Sequence, residues 1–136
     1  MTEAAGGGDQ RPPLALVVED EEAVRAFVQR VVVAEGYECL EAGSAEEALV
    51  TADRAERPLD LLVLDIMLPD SWGTRLVADL RARSPRLGVV LTSGFTGEDP
   101  VLGAGIGDRF PFLSKPFDVE DLRAAFTRAR GEQREE

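Results

Sequence analysis

Carboxylate side chains that could bind a metal ion or attack a phosphoryl group follow two apolar segments of this sequence. Asp65 ends the apolar segment 61–64, and Glu19 and Asp20 follow the apolar segment 14–18. Grouped carboxylates repel one another unless a cation neutralises them, and hard oxygen ligands favour Mg²⁺ or Mn²⁺ over zinc. A single Asp after a strand is more often a turn residue that hydrogen-bonds its own backbone. A site therefore requires that the two segments meet in the fold.

A hydroxyl group and an amine stand at equivalent places later in the chain. Ser93 follows the apolar segment 88–92, and Lys115 follows segment 110–114. An amine beside a carboxylate can neutralise the charge of phosphoryl oxygens. Turn statistics alone do not predict acids, a hydroxyl and an amine at four strand ends, so the pattern favours a functional site.

The elements that carry these side chains alternate between strand and helix patterns. Apolar segments of strand length occur at 14–18, 37–41, 61–65, 88–92 and 110–114. Helical patterns follow them at 21–35, 44–52, 76–84, 98–108 and 118–130. This alternation predicts a flavodoxin-like, doubly wound α/β fold, with a five-stranded parallel sheet in the order 2-1-3-4-5 and helices on both faces.

The order of the strands decides whether the polar side chains meet. In the order 2-1-3-4-5 the first and third strands are neighbours, and ligands of such sheets bind outside the carboxyl ends of the strands. We therefore expect Glu19, Asp20 and Asp65 to converge at one edge of the sheet. Ser93 and Lys115 would line the same face.

The sequence predicts one domain with short extensions. Residues 1–13 are rich in Gly and Ala and lack periodicity, which predicts a disordered lead-in. Residues 14–130 form the domain, and 131–136 are expected to be a charged tail. Between residues 98 and 108, three glycines each cost a helix about 1 kcal/mol relative to Ala, so the helix there should be short or distorted.

Composition limits the classes of partner and compartment. The 136 residues have a formal net charge of −11 at pH 7, which argues against binding to nucleic acid or to an anionic membrane. Cys39 is the only cysteine and there is no histidine, which excludes an internal disulfide and a Cys/His zinc site. We expect Cys39 to be a small buried apolar residue of the second strand. No signal peptide or membrane-spanning segment is recognisable, and a cytoplasmic location is expected.

Four motifs, in this order, resemble the receiver domain of two-component response regulators. They lie at 16–21, 63–69, 91–94 and 112–117 and read LVVEDE, VLDIMLP, LTSG and FLSKPF. The resemblance extends from about Leu14 to Arg130, which is nearly the whole chain. Any one motif would be weak, but four in the same order are specific.

The resemblance implies a role for each polar side chain. Asp65 would be the phosphate acceptor, and Glu19 and Asp20 the acidic pair that holds a divalent cation, Mg²⁺ or Mn²⁺. We expect Asp20 and Asp65 to bind the ion directly and Glu19 to act mainly through water. The resemblance also implies that Ser93 is the switch hydroxyl and Lys115 the invariant amine. Phe112 would be the aromatic switch residue, and Met67 would contribute a backbone carbonyl ligand.

The function implied by the resemblance is a signalling relay. A sensor histidine kinase or a phosphotransfer protein would present a phosphohistidine, and Asp65 would take its phosphoryl group with Mg²⁺ bound. Ser93 and Phe112 would then move and change the surface offered to a downstream protein. We expect no output domain and no enzyme activity on other substrates. The chain would be a stand-alone regulator or the receiver of a hybrid histidine kinase.

Three other functions are compatible with the same fold. A flavin or nucleotide binder would need a phosphate loop rich in Gly and hydroxyl groups after the first strand, where this chain is acidic. A metal-dependent phosphohydrolase of the haloacid-dehalogenase type would use Asp65 as nucleophile, but such enzymes carry a second Asp where this chain has Met67. A receiver-like interaction module that is never phosphorylated would not need the complete acidic set.

Three more side chains lie close to the motifs in sequence. Met67 and Phe95, two residues beyond Asp65 and Ser93, are expected to flank the phosphoryl group, where apolar side chains would hinder an attacking water. Trp72 is expected to pack against the following helix rather than anchor a partner.

Overall fold

A five-stranded parallel sheet forms the centre of the protein. The computed structural model describes residues 11–94 and 110–134, with only the backbone described at 71–74 and 132–134. The strands are β1 Leu14–Val18, β2 Glu38–Ala42, β3 Leu61–Asp65, β4 Met67–Leu68, β5 Ser71–Trp72, β6 Gly88–Ser93 and β7 Phe112–Ser114. The helices are α1 Glu22–Ala34, α2 Ala45–Arg54, α3 Gly73–Arg83 and α4 Val119–Arg134.

The strand order of the main sheet is β2-β1-β3-β6-β7, and all its pairs are parallel. Strands β4 and β5 form a separate two-stranded antiparallel hairpin. Counted without this hairpin, the order is 2-1-3-4-5, so the predicted fold class is confirmed. β1 and β3 are neighbours, with Val18 opposite Leu64, and their carboxyl ends therefore meet.

Two apolar clusters pack on opposite faces of the sheet, because successive strand side chains point to opposite sides. In β1, Leu14, Leu16 and Val18 face one cluster, to which α2 and α3 contribute residues such as Ala48 and Leu80. Ala15 and Val17 face the other, to which α1 and α4 contribute residues such as Val32 and Phe126. The three central strands β1, β3 and β6 are buried on both faces, which explains their largely apolar sequences.

The helix ends follow the capping signals of the sequence. Ser44 Oγ accepts a hydrogen bond from the Glu47 amide at 3.1 Å, and Glu47 Oε1 accepts one from the Gly43 amide at 2.7 Å. The two side chains cap the start of α2 much as in a capping box, with the Gly43 amide in place of the Ser44 amide. Gly36 follows α1 with φ at +100°, a conformation that glycine adopts without steric cost. These contacts define where helix α2 begins and where helix α1 ends.

The described elements extend beyond the boundaries expected from the sequence. Residues 11–13 are attached to the fold, because the carbonyl of Pro13 accepts from Glu38 N at 2.8 Å and that of Pro12 from the Arg57 guanidinium at 2.8 Å. Helix α4 continues through Gly131 to Arg134, where a charged tail was expected. Its last residues, Glu, Gln and Arg, are good helix formers and outweigh a single glycine. After Pro69 and Asp70, Ser71 and Trp72 form the short strand β5, which pairs with β4.

Cys39 lies in β2 as expected, but its side chain is only partly buried, against the α1 and α4 cluster. Burial and the charge of Glu41 raise the pKa of its thiol to about 12, so the thiol stays protonated. The expectations for residues 98–108 and for Phe95 lie outside the described residues, as does that for the side chain of Trp72. Within the described ranges, no helix has the length and apolar character needed to cross a membrane.

Candidate functional site

Three carboxylates meet at the carboxyl edge of the sheet. Glu19 and Asp20 follow β1, and Asp65 ends β3, its neighbour in the sheet. One oxygen from each of the three side chains lies within 4.8 Å of the others. The convergence predicted from the strand order is therefore confirmed, and this cluster is called the acidic site below.

Asp65 is held by the backbone that follows it and by an amine from a distant strand end. Its Oδ1 accepts a hydrogen bond from the Met67 amide at 2.9 Å, and its Oδ2 accepts one from Lys115 Nζ at 3.0 Å. The residue is only 4% exposed. One carboxylate oxygen of Asp65 thus lies beside a positive charge, and the other lies beside a backbone amide donor.

Glu19 is buried beside Asp65, with 3% of its surface exposed. Its Oε1 lies 2.9 Å from Lys115 Nζ, and its Oε2 accepts from the Glu21 amide at 3.0 Å. The Lys115 ammonium therefore bridges Glu19 and Asp65. Asp20, by contrast, is exposed at the mouth of the site.

The pKa values at the site reflect burial of like charges. Burial raises the pKa of Glu19 to about 7, an effect that Lys115 partly offsets and the charge of Asp65 reinforces. Burial alone would lower the pKa of Lys115, but hydrogen bonds to Glu19 and Asp65 outweigh it and leave that pKa raised. Lys115 is therefore charged at neutral pH, and Glu19 resists full ionisation.

The donor set of the acidic site fits a hard divalent cation. Within the described part of the chain, the three carboxylates of this site are the group of acids that could hold a metal ion. They supply up to three negative charges, against which Lys115 supplies one positive charge. Oxygen ligands without sulfur or imidazole favour Mg²⁺ or Mn²⁺.

The remaining predicted site residues lie at neighbouring strand ends. Ser93 is fully buried at the end of β6, and its carbonyl accepts from the Lys115 amide at 2.9 Å. Phe112 is partly buried against the α2 and α3 cluster. Met67 begins β4 with its side chain about one third exposed, and its carbonyl remains a predicted ligand. The structure thus places these residues around the acidic site, and their roles stay predictions.

Sequence reasoning missed two residues that support the site. Arg25, on α1, donates to the carbonyl of Glu19 at 2.8 Å and lies 3.4 Å from Glu41 Oε1. Asp70, in the β4–β5 loop, accepts from two backbone amides of α2. Arg25 reaches Glu19 across the loop before α1, and Asp70 lies about 25 residues from its partners in α2. The spacing of residues along the chain could therefore not reveal either contact.

The raised pKa of Glu19 predicts a pH dependence of stability in the metal-free protein. A folded pKa of about 7 above the ordinary 4.5 means that the folded state keeps a proton which the unfolded state loses. The stability gained from that proton is complete below about pH 4.5 and is lost as the pH rises through about 7. We expect the Glu19 contribution to the free energy of unfolding to fall by at most about 3 kcal/mol across this window.

Urea unfolding of the wild type and Glu19→Gln, in the presence of a chelator, measures this contribution. Gln cannot titrate, so the variant should lose less stability than the wild type between about pH 5 and about pH 8. Equal losses in the two proteins over this range would contradict the assignment to Glu19.

Comparison with known proteins identifies the same family as the sequence motifs. The family described as response regulator receiver domain matches residues 15–127. The KDP operon transcriptional regulatory protein KdpE of Escherichia coli is 37% identical over 111 residues, which cover 80% of this chain and 47% of KdpE. The sensor kinase CckA of Brucella abortus is 33% identical over 107 residues, which cover 79% of this chain and 11% of CckA.

A solved structure agrees with these relatives. The signal receiver domain of an HD domain-containing protein from Pseudomonas fluorescens superimposes with a TM-score of 0.77 at 28% identity, covering 93% of this chain and all of that domain. This chain spans about half or less of the length of the curated relatives KdpE and CckA. The family match extends over most of the chain and includes every strand of the main sheet, and the chain belongs to the response regulator receiver domains.

Proposed function

We propose that this receiver domain relays a signal by accepting a phosphoryl group on Asp65 in an Mg²⁺-dependent reaction. One observation carries the proposal: the Lys115 ammonium bridges the buried carboxylates of Glu19 and Asp65, with Asp20 beside them. Receiver domains generally bind Mg²⁺ and interact with histidine kinases or phosphotransfer proteins. Glu19, Asp20, Asp65 and the Met67 carbonyl would hold the ion, which when bound neutralises charge on the phosphoryl oxygens.

The side chains of the site orient the reacting groups and place a positive charge beside them. A carboxylate oxygen of Asp65 attacks phosphorus in line, a new P–O bond forms, and the P–N bond of the donor phosphohistidine breaks. The product is an acyl phosphate on Asp65 and a free imidazole on the donor. The Lys115 ammonium already lies 3.0 Å from Asp65 Oδ2, so it would lie close to the phosphoryl oxygens of a phosphorylated Asp65 and stabilise their charge.

The response to phosphorylation begins at the strand ends next to Asp65. The new phosphoryl oxygens can accept a hydrogen bond from the hydroxyl of Ser93. The carbonyl of Ser93 in turn accepts a hydrogen bond from the Lys115 amide. Movement of Ser93 toward the phosphoryl group would let Phe112, which is only partly buried, change its packing. Phosphorylation thereby biases a two-state equilibrium of the surface offered to a downstream protein.

The proposed partners are a sensor histidine kinase or phosphotransfer protein as donor, and a protein as receiver of the signal. KdpE is a transcriptional regulatory protein and CckA a sensor kinase, so related domains occur in both contexts. No turnover of an external substrate is proposed, and a cytoplasmic location remains a prediction. The flavin-binding and phosphohydrolase alternatives have no support from the family match.

Intact mass spectrometry after incubation with acetyl phosphate tests the proposal. With Mg²⁺ we expect one phosphoryl group per chain, and with a chelator none, because the carboxylates then repel the donor's charge. Turnover of acetyl phosphate far beyond one equivalent, without a phosphorylated protein, would favour a hydrolase. Failure to form an adduct and to bind beryllofluoride would favour an unphosphorylated interaction module.

A further inference from the structure

Asp70 connects the loop after the acidic site to the start of helix α2. Its Oδ1 accepts from the Ala45 amide at 2.9 Å, and its Oδ2 accepts from the Glu46 amide at 3.0 Å. These bonds hold the pKa of Asp70 below its usual value, so the residue is ionised at neutral pH. A carboxylate is also the favoured charge at a helix N-terminus.

Helix α2 does not need Asp70 as its only cap. Ser44 already accepts from the Glu47 amide, and Glu47 accepts from the Gly43 amide, so the helix start carries two capping hydrogen bonds of its own. Asp70 satisfies the two amides that remain at the helix start. The added effect of the Asp70 bonds is to attach the β4–β5 hairpin to α2.

The hairpin that carries Asp70 is too small to hold its own shape. It has two residue pairs, Met67 with Trp72 and Leu68 with Ser71, and a two-residue loop. Tight hairpin loops that match strand twist need positive φ, which in the described chain occurs only at Gly36 and Glu56. Two short strands without such a loop are marginal alone, so outside contacts must fix their position.

The hairpin begins directly at the acidic site. The Met67 amide donates to Asp65 Oδ1 at 2.9 Å, and the Met67 carbonyl is the predicted backbone ligand of the ion. The side chain of Leu68 is buried next to the hairpin loop, and Asp70 anchors that loop to α2. The Met67 carbonyl therefore lies between the Met67 amide, which is hydrogen-bonded to Asp65, and these two anchors, so its orientation relative to Asp65 is fixed.

We propose that Asp70 is a positioning residue that sets the affinity of the acidic site for Mg²⁺, by holding the β4–β5 hairpin and with it the Met67 carbonyl. The proposal rests on the proposed function and adds a residue outside the acidic site to it. Asp70 touches neither the ion nor the phosphoryl group, so its effect passes through the backbone of residues 67–70. Outer residues that orient metal ligands commonly change metal affinity at least tenfold when they are removed.

Asp70→Ala should therefore weaken Mg²⁺ binding by about tenfold, measured by calorimetry on the intact protein. The Mg²⁺ concentration needed for half-maximal phosphorylation by acetyl phosphate should rise by the same factor. The phosphorylation rate at saturating Mg²⁺ should stay near that of the wild type, because Asp65 and Lys115 are unchanged. Hydrogen exchange of the amides of 67–72 should become faster, which reports the loosened hairpin independently of any metal.

Ser44→Ala is the matched control, because it removes a cap of the same helix end without touching the hairpin. It should lower stability but leave Mg²⁺ affinity and the exchange of 67–72 unchanged. Asp70→Asn retains one acceptor oxygen, so its Mg²⁺ affinity should be intermediate, and it serves if the Ala variant does not fold. Equal Mg²⁺ affinities for the wild type and the Asp70 variants would overturn the proposal. If the wild type itself bound no Mg²⁺, that result would contradict the proposed function as well as the proposal about Asp70.

Discussion

Replacement of Asp65 by Asn should abolish the phosphoryl adduct, lowering its rate of formation by at least about a hundredfold. The amide oxygen of Asn is a poor nucleophile and cannot form an acyl phosphate, and loss of an enzymatic nucleophile commonly costs far more than this factor. Asn can still accept the hydrogen bond from the Met67 amide, and Glu19 remains as partner of Lys115. The variant should therefore fold, and the effect should lie in the chemistry.

Intact mass after incubation with acetyl phosphate and Mg²⁺ measures this loss. Asp53→Asn is the matched control, because Asp53 is an exposed carboxylate paired with Arg83 on the surface. It should be phosphorylated like the wild type. An adduct of undiminished yield in Asp65→Asn would place the acceptor elsewhere and would contradict the proposed function.

Replacement of Lys115 by Met should strongly destabilise the metal-free protein, by about 3 kcal/mol at a pH above 7. The ammonium lies 2.9 Å from Glu19 and 3.0 Å from Asp65, whose side chains are only 4% and 5% exposed. Without it two buried carboxylates face each other unpaired, and protonation of Glu19 relieves only part of the repulsion. The loss should be largest where Glu19 is ionised.

Excess Mg²⁺ should restore much of the stability that Lys115→Met loses. An ion that binds only the folded state stabilises it by mass action, and here it would also supply the missing positive charge. Urea unfolding with chelator and with Mg²⁺ measures both effects. Arg83→Met is the control, since it removes a cation from an exposed pair and should cost less than about 1 kcal/mol in either condition. Similar losses for the two variants in chelator would contradict a bridging role for Lys115.

The fold and the acidic site were predictable because their signals are local. The three central strands are apolar segments of strand length, and a polar residue at the end of such a segment marks the edge where ligands bind. Glu19 and Asp65 are far apart in sequence, yet strand order alone placed them together. The capping contacts are local too: Ser44 accepts from the Glu47 amide at the start of α2, and Asp118 accepts from the Asp121 amide at the start of α4.

Contacts that depend on the exact path of a loop could not be predicted. Asp70 follows Pro69 and has the sequence context of an ordinary turn, and nothing in that context indicates the Ala45 amide, 25 residues away, as its partner. The protonation state of Glu19 was also beyond the sequence, because it depends on burial and on the two bonds of Lys115. Helix α4 also runs beyond the helical pattern at 118–130, because the Glu, Gln and Arg residues after Gly131 are good helix formers.

The two edge strands of the sheet have a consequence for behaviour at high concentration. An unpaired strand edge is a template for a strand of another molecule and a source of aggregation. β7 has only three residues, between Pro111 and Lys115-Pro116, and proline has no amide hydrogen to offer. β2, at the other edge, exposes the charged side chains Glu38 and Glu41. Both edges thus disfavour the addition of a strand from another molecule, so the domain resists forming intermolecular sheets at high concentration.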